Sequence, residues 1–147
     1  MDLDTIVKLN IYETIAGTAK IPLAEDVARA TGASVPEVEA AFERLHQKRL
    51  LVPEPGDKSR IRMAPPFSGI ETPFRVKVDQ LNYYANCAWD ALGIPAALHQ
   101  DAVIVASDAH TNEPIILEVK DEMPVQQNCV IHFAVPAAHW WDDIIYT

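Results

Sequence analysis

The chain has 147 residues, nearly half of them apolar, and two cysteines. This composition excludes a disordered chain, and no apolar run approaches the roughly 20 residues that a membrane-spanning helix requires. The charge is uneven: residues 1–65 carry 9 Lys/Arg against 10 Asp/Glu, and residues 66–147 carry 3 against 11, which argues against nucleic acid binding by the second half.

The N-terminal residues predict a group of helices. The chain starts with Met-Asp-Leu-Asp-Thr, which is acidic where a secretory signal is basic, so we expect a cytoplasmic protein with no membrane partner. An apolar stripe predicts a helix over residues 3–16, ended by Gly17. A short helix over Leu23–Thr31 follows, and Ser34 with Glu37 forms a capping box that starts a third helix.

A predicted β-hairpin completes this unit. Residues 50–52 and 61–63 flank a turn over residues 54–58, so residues 1–65 read as a winged-helix-like domain. The third helix begins Ser-Val-Pro-Glu-Val-Glu, and acid at that end repels phosphate. We therefore expect a structural or dimerising role for the unit, so a homodimer is one expectation from the sequence. We do not expect a nucleic acid partner.

Residues 66–147 predict a second domain built on a small sheet. The prolines and glycine of residues 65–69 predict a linker ahead of it. The patterns then predict, in chain order, a strand at Phe74–Val78, a helix at Leu81–Leu92 stopped by Gly93 and Pro95, a hairpin of Ala102–Ala106 with Ile115–Val119, an alternating run at Asn128–Val135 and a strand-like end at Ile144–Tyr146. The fold class is α+β, with the helical unit packed on a small, mostly antiparallel sheet that carries one key helix.

Cys87 and Asp90 are the residues with the clearest chemical pattern. Placed three apart on the predicted helix, they share one face. The helix dipole favours a thiolate at Cys87 and the carboxylate opposes it, while a thiolate can capture a soft metal and the acid can hold or deliver a proton. Tyr83, Tyr84 and Trp89 can exclude water. The alternative is a core cysteine beside an acid that caps the helix.

The sequence around these residues resembles a known family. The strand at Phe74–Val78, the segment Tyr-Tyr-Ala-Asn-Cys-Ala-Trp-Asp-Ala-Leu and the later Asn-Cys-Val-Ile-His-Phe are similar to the organomercurial (alkylmercury) lyases. That family also carries a winged-helix-like region before its catalytic part. The resemblance implies protonolysis of a carbon–mercury bond without a cofactor, in which one cysteine takes the mercury, a second joins it and an aspartate transfers the proton.

Carried over, the resemblance assigns Cys87 as the cysteine that binds mercury, as substrate, and Asp90 as the aspartate. The chain departs from the family at the second cysteine: anchoring on His132 places Asn128 there and Cys129 at its dispensable neighbour. Neighbours on a strand face opposite ways, so Cys129 is expected to point away from Cys87 unless a bulge turns it. The chain also ends earlier than the family usually does.

The leading hypothesis is therefore an organomercurial-lyase-like enzyme acting on an organomercurial or another soft electrophile. Cys87 and Asp90 are its candidate catalytic residues, and its candidate substrate-binding residues are Asn128, Cys129, Tyr84 and His132. Two alternatives stay open because Asn128 replaces a thiol. One is a non-catalytic metal or small-ligand binder or sensor, and the other is a different reaction on the same scaffold.

Overall fold

The N-terminal helices form where the local signals place them. A computed structural model describes residues 1–125 and 128–146. Its first three helices are α1 (Leu3–Thr18), α2 (Ala24–Thr31) and α3 (Val35–Gln47). Helix α3 starts at the predicted capping box, in which the Ser34 backbone N–H donates to Glu37 Oε2 at 2.8 Å. The helices bury their apolar stripes against one another, as the 3.6-residue period requires.

A small antiparallel sheet follows, with strands β1 (Val52–Glu54), β2 (Asp57–Ala64) and β3 (Phe67–Ser68) in that order. The predicted hairpin is present, but the predicted linker at residues 65–69 is wrong. The chain turns back at the two prolines, and Phe67 pairs with Ala64 of β2. Gly69 then donates its backbone N–H to the Arg62 carbonyl at 2.8 Å, an approach that a Cβ would obstruct.

The second sheet contains three of the predicted strands and two strands that were not predicted. Its order is β5-β4-β6-β7-β8, with antiparallel neighbours throughout. The predicted hairpin of β6 with β7 is present, because two apolar runs flank a connector rich in turn-forming residues. The strands are β4 (Arg75–Val78), β5 (Leu81–Tyr84), β6 (Ala102–Ser107), β7 (Pro114–Lys120) and β8 (Met123–Pro124).

The predicted helix at Leu81–Leu92 is wrong in its first half. Asp79 adopts a left-handed conformation (φ 51°) and reverses the chain, so residues 81–84 return beside β4 as strand β5. Helix α4 spans Ala88–Leu98 instead and continues through Gly93 and Pro95. Proline inside a helix costs about 3 kcal/mol, and the burial of Ile94 and Pro95 in the core offsets that cost.

The C-terminal strand predictions are also wrong. Residues 128–136 form no strand, and Val130 is 92% exposed, so the alternation there buries no face. A 3₁₀ helix spans Ala137–Asp142, and Ile144–Tyr146 is a turn. Strand β8 already pairs with β7, so the C-terminal segment does not extend the sheet at that edge. The segment packs near helix α3 instead, where the Trp141 ring lies 6.2 Å from the His46 ring.

The two parts of the chain share one apolar core, which runs from Val7 of α1 to Val119 of β7. Hydrogen bonds join the parts as well: Tyr83 of β5 donates to the Ala16 carbonyl at 2.7 Å, and Tyr12 of α1 donates to the Pro65 carbonyl at 2.8 Å. The predicted α+β class is confirmed, whereas the domain boundary after residue 65 stays a prediction. Within the described ranges, no helix is both long and apolar enough to cross a bilayer.

Candidate functional site

Cys87 lies immediately before helix α4 rather than within the helix. Its backbone is extended (φ −155°, ψ −178°), and its carbonyl accepts the Ala91 N–H at 2.9 Å. Cys87 is therefore the N-cap residue and Asp90 belongs to the first turn. The backbone N–H groups of Trp89 and Asp90 lower the pKa of the thiol, although the Cys87 side chain makes no capping hydrogen bond. Unpaired N–H groups at a helix N-terminus favour a negative charge, so this position suits a thiolate better than the predicted one inside the helix.

Opposing effects set the protonation of Cys87. Burial raises the pKa of the thiol most strongly, and the negative charge of Asp90 raises it further. The two backbone N–H groups lower this pKa but do not overcome burial. The free thiol is thus protonated at neutral pH, and the helix N-terminus stabilises the thiolate once a soft electrophile takes the place of the proton.

Asp90 is half-buried beside the thiol. Burial raises the pKa of its carboxyl, and a hydrogen bond from Asn86 Nδ2 to Asp90 Oδ2 at 2.9 Å lowers it in part. The pKa of Tyr12 is raised to about 12 by burial, with a further contribution from the Asp90 charge. Asp90 consequently keeps its proton to a higher pH than an ordinary aspartate does, as a proton donor requires.

Asn86 is a site residue that the sequence reasoning missed. Its Nδ2 donates to Asp90 and to the Phe67 carbonyl at 3.2 Å, which fixes the amide between the two sheets. Its Oδ1 is buried and has no hydrogen-bond partner in the described part of the chain. An amide just before the cysteine, at the start of an apolar helix, was the available signal, because Asn favours such helix-entry positions.

Cys87 lies where two cavities adjoin. The Asp90 cavity, of about 370 Å³, contains Asp90 and apolar side chains of the C-terminal segment. The His132 cavity, of about 380 Å³, is not lined by Asp90. Both are lined by Asn86, Cys87, Phe133, Trp140 and Tyr146. Cys87 therefore borders two cavities, only one of which is also lined by the carboxyl group.

The C-terminal segment forms one side of both cavities. Trp140 Nε1 donates to the Val135 carbonyl at 2.8 Å, and its ring lies 5.2 Å from that of Phe133. Arg49, which follows α3, also lines the Asp90 cavity. No sequence pattern indicates a role for Arg49 in the site or these contacts, because both depend on how distant segments of the chain pack together.

The remaining predicted site residues are spread over the molecule. His132 lines the cavity that bears its name, although its side chain is largely exposed. Tyr84 lies in β5 and lines neither cavity. Asn128 and Cys129 are exposed and also line neither cavity. Over residues 1–125 and 128–146, no group of three or more His, Cys, Asp or Glu side chains is placed to hold a metal ion.

Comparison with known proteins bears on this arrangement. The sequence model of the MerB family, described as alkylmercury lyase, matches residues 67–147. Among solved structures, the chain is similar to the mercury-bound form of MerB2, with a TM-score of 0.67 and 22% sequence identity, over 87% of this chain and 61% of that one. The chain thus spans about three fifths of that protein's length, and at this identity the likeness supports the fold. No curated protein matches the chain significantly.

Proposed function

Because the chain belongs to the alkylmercury lyase family, we propose that it cleaves the carbon–mercury bond of organomercurials by protonolysis. Cys87 binds the mercury as a thiolate, and Asp90 delivers the proton to the leaving carbon. One observation carries this assignment: the thiol and a carboxyl group with a raised pKa lie together at the N-terminus of α4 and line one cavity. A nucleophile beside an acid in an apolar cleft is the arrangement that the reaction needs.

The first step is capture of the substrate. An organomercurial arrives bound to a thiolate, and the Cys87 sulfur displaces that thiolate. A Cys87 S–Hg bond forms, and the displaced thiolate leaves as a thiol with the proton of Cys87. The backbone N–H groups of Trp89 and Asp90 stabilise the sulfur as its proton departs, which opposes part of the effect of burial on the thiol pKa.

The second step is protonolysis. The Asp90 carboxyl gives its proton to the carbon bound to mercury, and the electron pair of the C–Hg bond forms the new C–H bond. A hydrocarbon leaves, and the Asp90 carboxylate remains beside the positively charged mercury on Cys87. The partly buried apolar side chains that line the cavity, Trp140, Trp141 and Ile144, limit the access of bulk water as a competing ligand.

A binder without catalysis is the second candidate function, and one observation favours it. We assign Asn128 to the position of the family's second cysteine, and Cys129 is exposed and lines neither cavity. A single thiol would then hold an organomercurial without weakening its C–Hg bond. In that case the protein would retain mercury through Cys87 and release no hydrocarbon.

Incubation with a phenylmercury–thiol adduct tests the proposal, with benzene release followed by gas chromatography. We expect benzene from the wild type, none from Cys87→Ser, and undiminished release from Cys129→Ser, the matched control at the other cysteine. Retention of phenylmercury through Cys87 without benzene would support the binder instead. A chain that neither retains phenylmercury nor releases benzene would contradict both functions.

Nucleic acid is not part of the proposed function. Basic residues of the N-terminal unit are paired internally: Lys48 contacts Asp4 at 3.0 Å and Arg60 contacts Asp57 at 3.4 Å. A phosphate backbone would have to compete with these carboxylates. We expect the protein to act in the cytoplasm, where thiols such as Cys87 stay reduced. A homodimer stays a prediction.

A further inference from the structure

The residues around Cys87 provide only one sulfur ligand for the mercury once its bond to carbon has broken. Mercury(II) prefers two ligands in line and binds sulfur most strongly. When Cys87 is one ligand and carbon the other, cleavage of the C–Hg bond leaves the mercury with a single sulfur. Cys129 is exposed and lines neither cavity, so the chain's other thiol is not placed to fill this position.

The two cavities that Cys87 lines differ in their access to the acid. Asp90 lines only the Asp90 cavity, so the carbon that receives its proton has to occupy that cavity. The His132 cavity adjoins the same sulfur, is of similar size and lacks the acid. A group placed there can reach mercury on Cys87 without displacing the carbon or blocking the proton donor.

We propose that a small-molecule thiol binds in the His132 cavity and supplies the second sulfur ligand before the C–Hg bond breaks. This inference rests on the proposed function and makes the thiol a co-substrate, which takes the part of the protein thiol that Asn128 replaces. An external thiolate that joins Cys87 and the carbon as a third ligand raises the electron density on mercury and weakens its bond to carbon, as a second protein thiolate would.

The lining of the His132 cavity suits such a molecule. Asn86 lines this cavity and contributes an amide group to its wall. Phe74, Phe133 and Val135 offer apolar contacts to a short alkyl chain, and His132 offers a polar group. About 380 Å³ accommodates a thiol the size of 2-mercaptoethanol with room for water.

The step balances without an oxidant or a reductant. The thiol loses its proton and forms an S–Hg bond, the C–Hg bond breaks, and the carbon receives the proton of Asp90. The proton released by the thiol restores the Asp90 carboxyl. Phenylmercury on Cys87 plus one thiol therefore gives benzene and mercury held between the Cys87 sulfur and the external sulfur.

A single-turnover experiment separates this role from product release. Phenylmercury is bound to an excess of the protein, free thiol is removed, and benzene is measured after addition of 2-mercaptoethanol or of ethylene glycol as the matched diol. We expect the rate to rise at least about tenfold with the thiol and to saturate, because a positioned ligand contributes on this order. Ethylene glycol should leave the rate unchanged.

Variants of the cavity test where the thiol binds. Ala134 lines the His132 cavity alone, so Ala134→Phe should raise the half-saturating thiol concentration several-fold. Ala138, exposed and outside both cavities, provides the matched control Ala138→Phe, which should keep the wild-type value. Should the first variant fail to fold by circular dichroism, Ala88→Leu fills the same cavity from helix α4.

The possible failures are distinguishable. Benzene released at one rate with and without thiol would overturn the co-substrate role and leave the proposed lyase function standing. A wild-type half-saturating concentration in the folded cavity variants would also overturn it. If phenylmercury stays on Cys87 and no benzene forms at any thiol concentration, both the inference and the proposed function fall.

Discussion

At the scale of single residues, the chemistry depends on three neighbours at the start of α4. Cys87 and Asp90 both have raised pKa values because both are partly buried, and the N–H groups of the helix and the amide of Asn86 act against burial. Each group thus keeps its proton to a higher pH than it would in water. The spacing of Cys87 and Asp90 was legible in the sequence, since residues three apart near a helix start have to be close. The role of Asn86 was not, because it depends on a contact with Phe67 from another sheet.

Asn86→Leu tests the control of Asp90. The Asn86 amide donates to the Asp90 carboxylate and lowers its pKa, so removal of this donor should raise that pKa. Protonolysis requires the protonated acid, and its rate falls as pH rises through the pKa of Asp90. We therefore expect the midpoint of the single-turnover pH profile for benzene release to move to higher pH. The exposed Asn82 on β5 provides the control Asn82→Leu, and an unchanged or lower midpoint in Asn86→Leu would contradict the assignment.

At the scale of elements, local signals predicted what local interactions determine. The capping box of α3 and the hairpin of β6 and β7 are as expected, because their determinants lie within a few residues. Helix α4 was predicted too early in the chain, and strand β5 was not predicted. The apolar residues of Leu81–Leu92 fit the spacing of a helix as well as that of a strand, and only pairing with β4 selects the strand for residues 81–84. Residues 128–136 alternate like a strand, yet β8 already pairs with β7. The two cavities are lined in part by this C-terminal segment, so no local sequence pattern predicts them.

Gly69→Ala tests how β3 is joined to the rest of the molecule. A Cβ at Gly69 would overlap the Ile61 carbonyl oxygen, which belongs to the backbone and cannot rotate away. We expect a loss of about 1–3 kcal/mol in the free energy of unfolding, measured in urea. Gly17, in α1, has open space around its Cα, so the control Gly17→Ala should be neutral or stabilise by up to about 1 kcal/mol. Equal stability of the two variants would refute this account of the turn.

At the scale of the whole molecule, the N-terminal helices and the sheet that carries the site are built around a common core. Arg49 and Met63 of the first part line the same cavity as Cys87, and Trp141 of the last part packs near His46. The N-terminal unit therefore helps to enclose the reacting groups. Sequence patterns predicted both parts but not this arrangement, because the contacts join residues far apart in the chain.

A shared core predicts one cooperative unfolding transition. Circular dichroism at 222 nm reports mainly α1–α3, which precede residue 48, whereas the three tryptophans all follow residue 88. We expect the two signals to change at the same urea concentration. Tyr83→Phe, which removes the bond to the Ala16 carbonyl, should lower both midpoints together by about 1 kcal/mol of stability, with Tyr84→Phe as the control. Separate midpoints for the two signals would show that the parts unfold independently.

We propose that Asp90 supplies the proton to a carbon that mercury holds on the Cys87 sulfur. An experiment that measures mercury binding and carbon–mercury cleavage separately tests this role. Phenylmercury is bound in equal amount to the wild type and to Asp90→Asn, thiol is added, and both retained mercury and benzene are measured over a single turnover. We expect both proteins to retain one phenylmercury per chain, and we expect the variant to release benzene about 10²- to 10⁴-fold more slowly than the wild type. Release of benzene by Asp90→Asn at the wild-type rate would contradict the proposed role of Asp90.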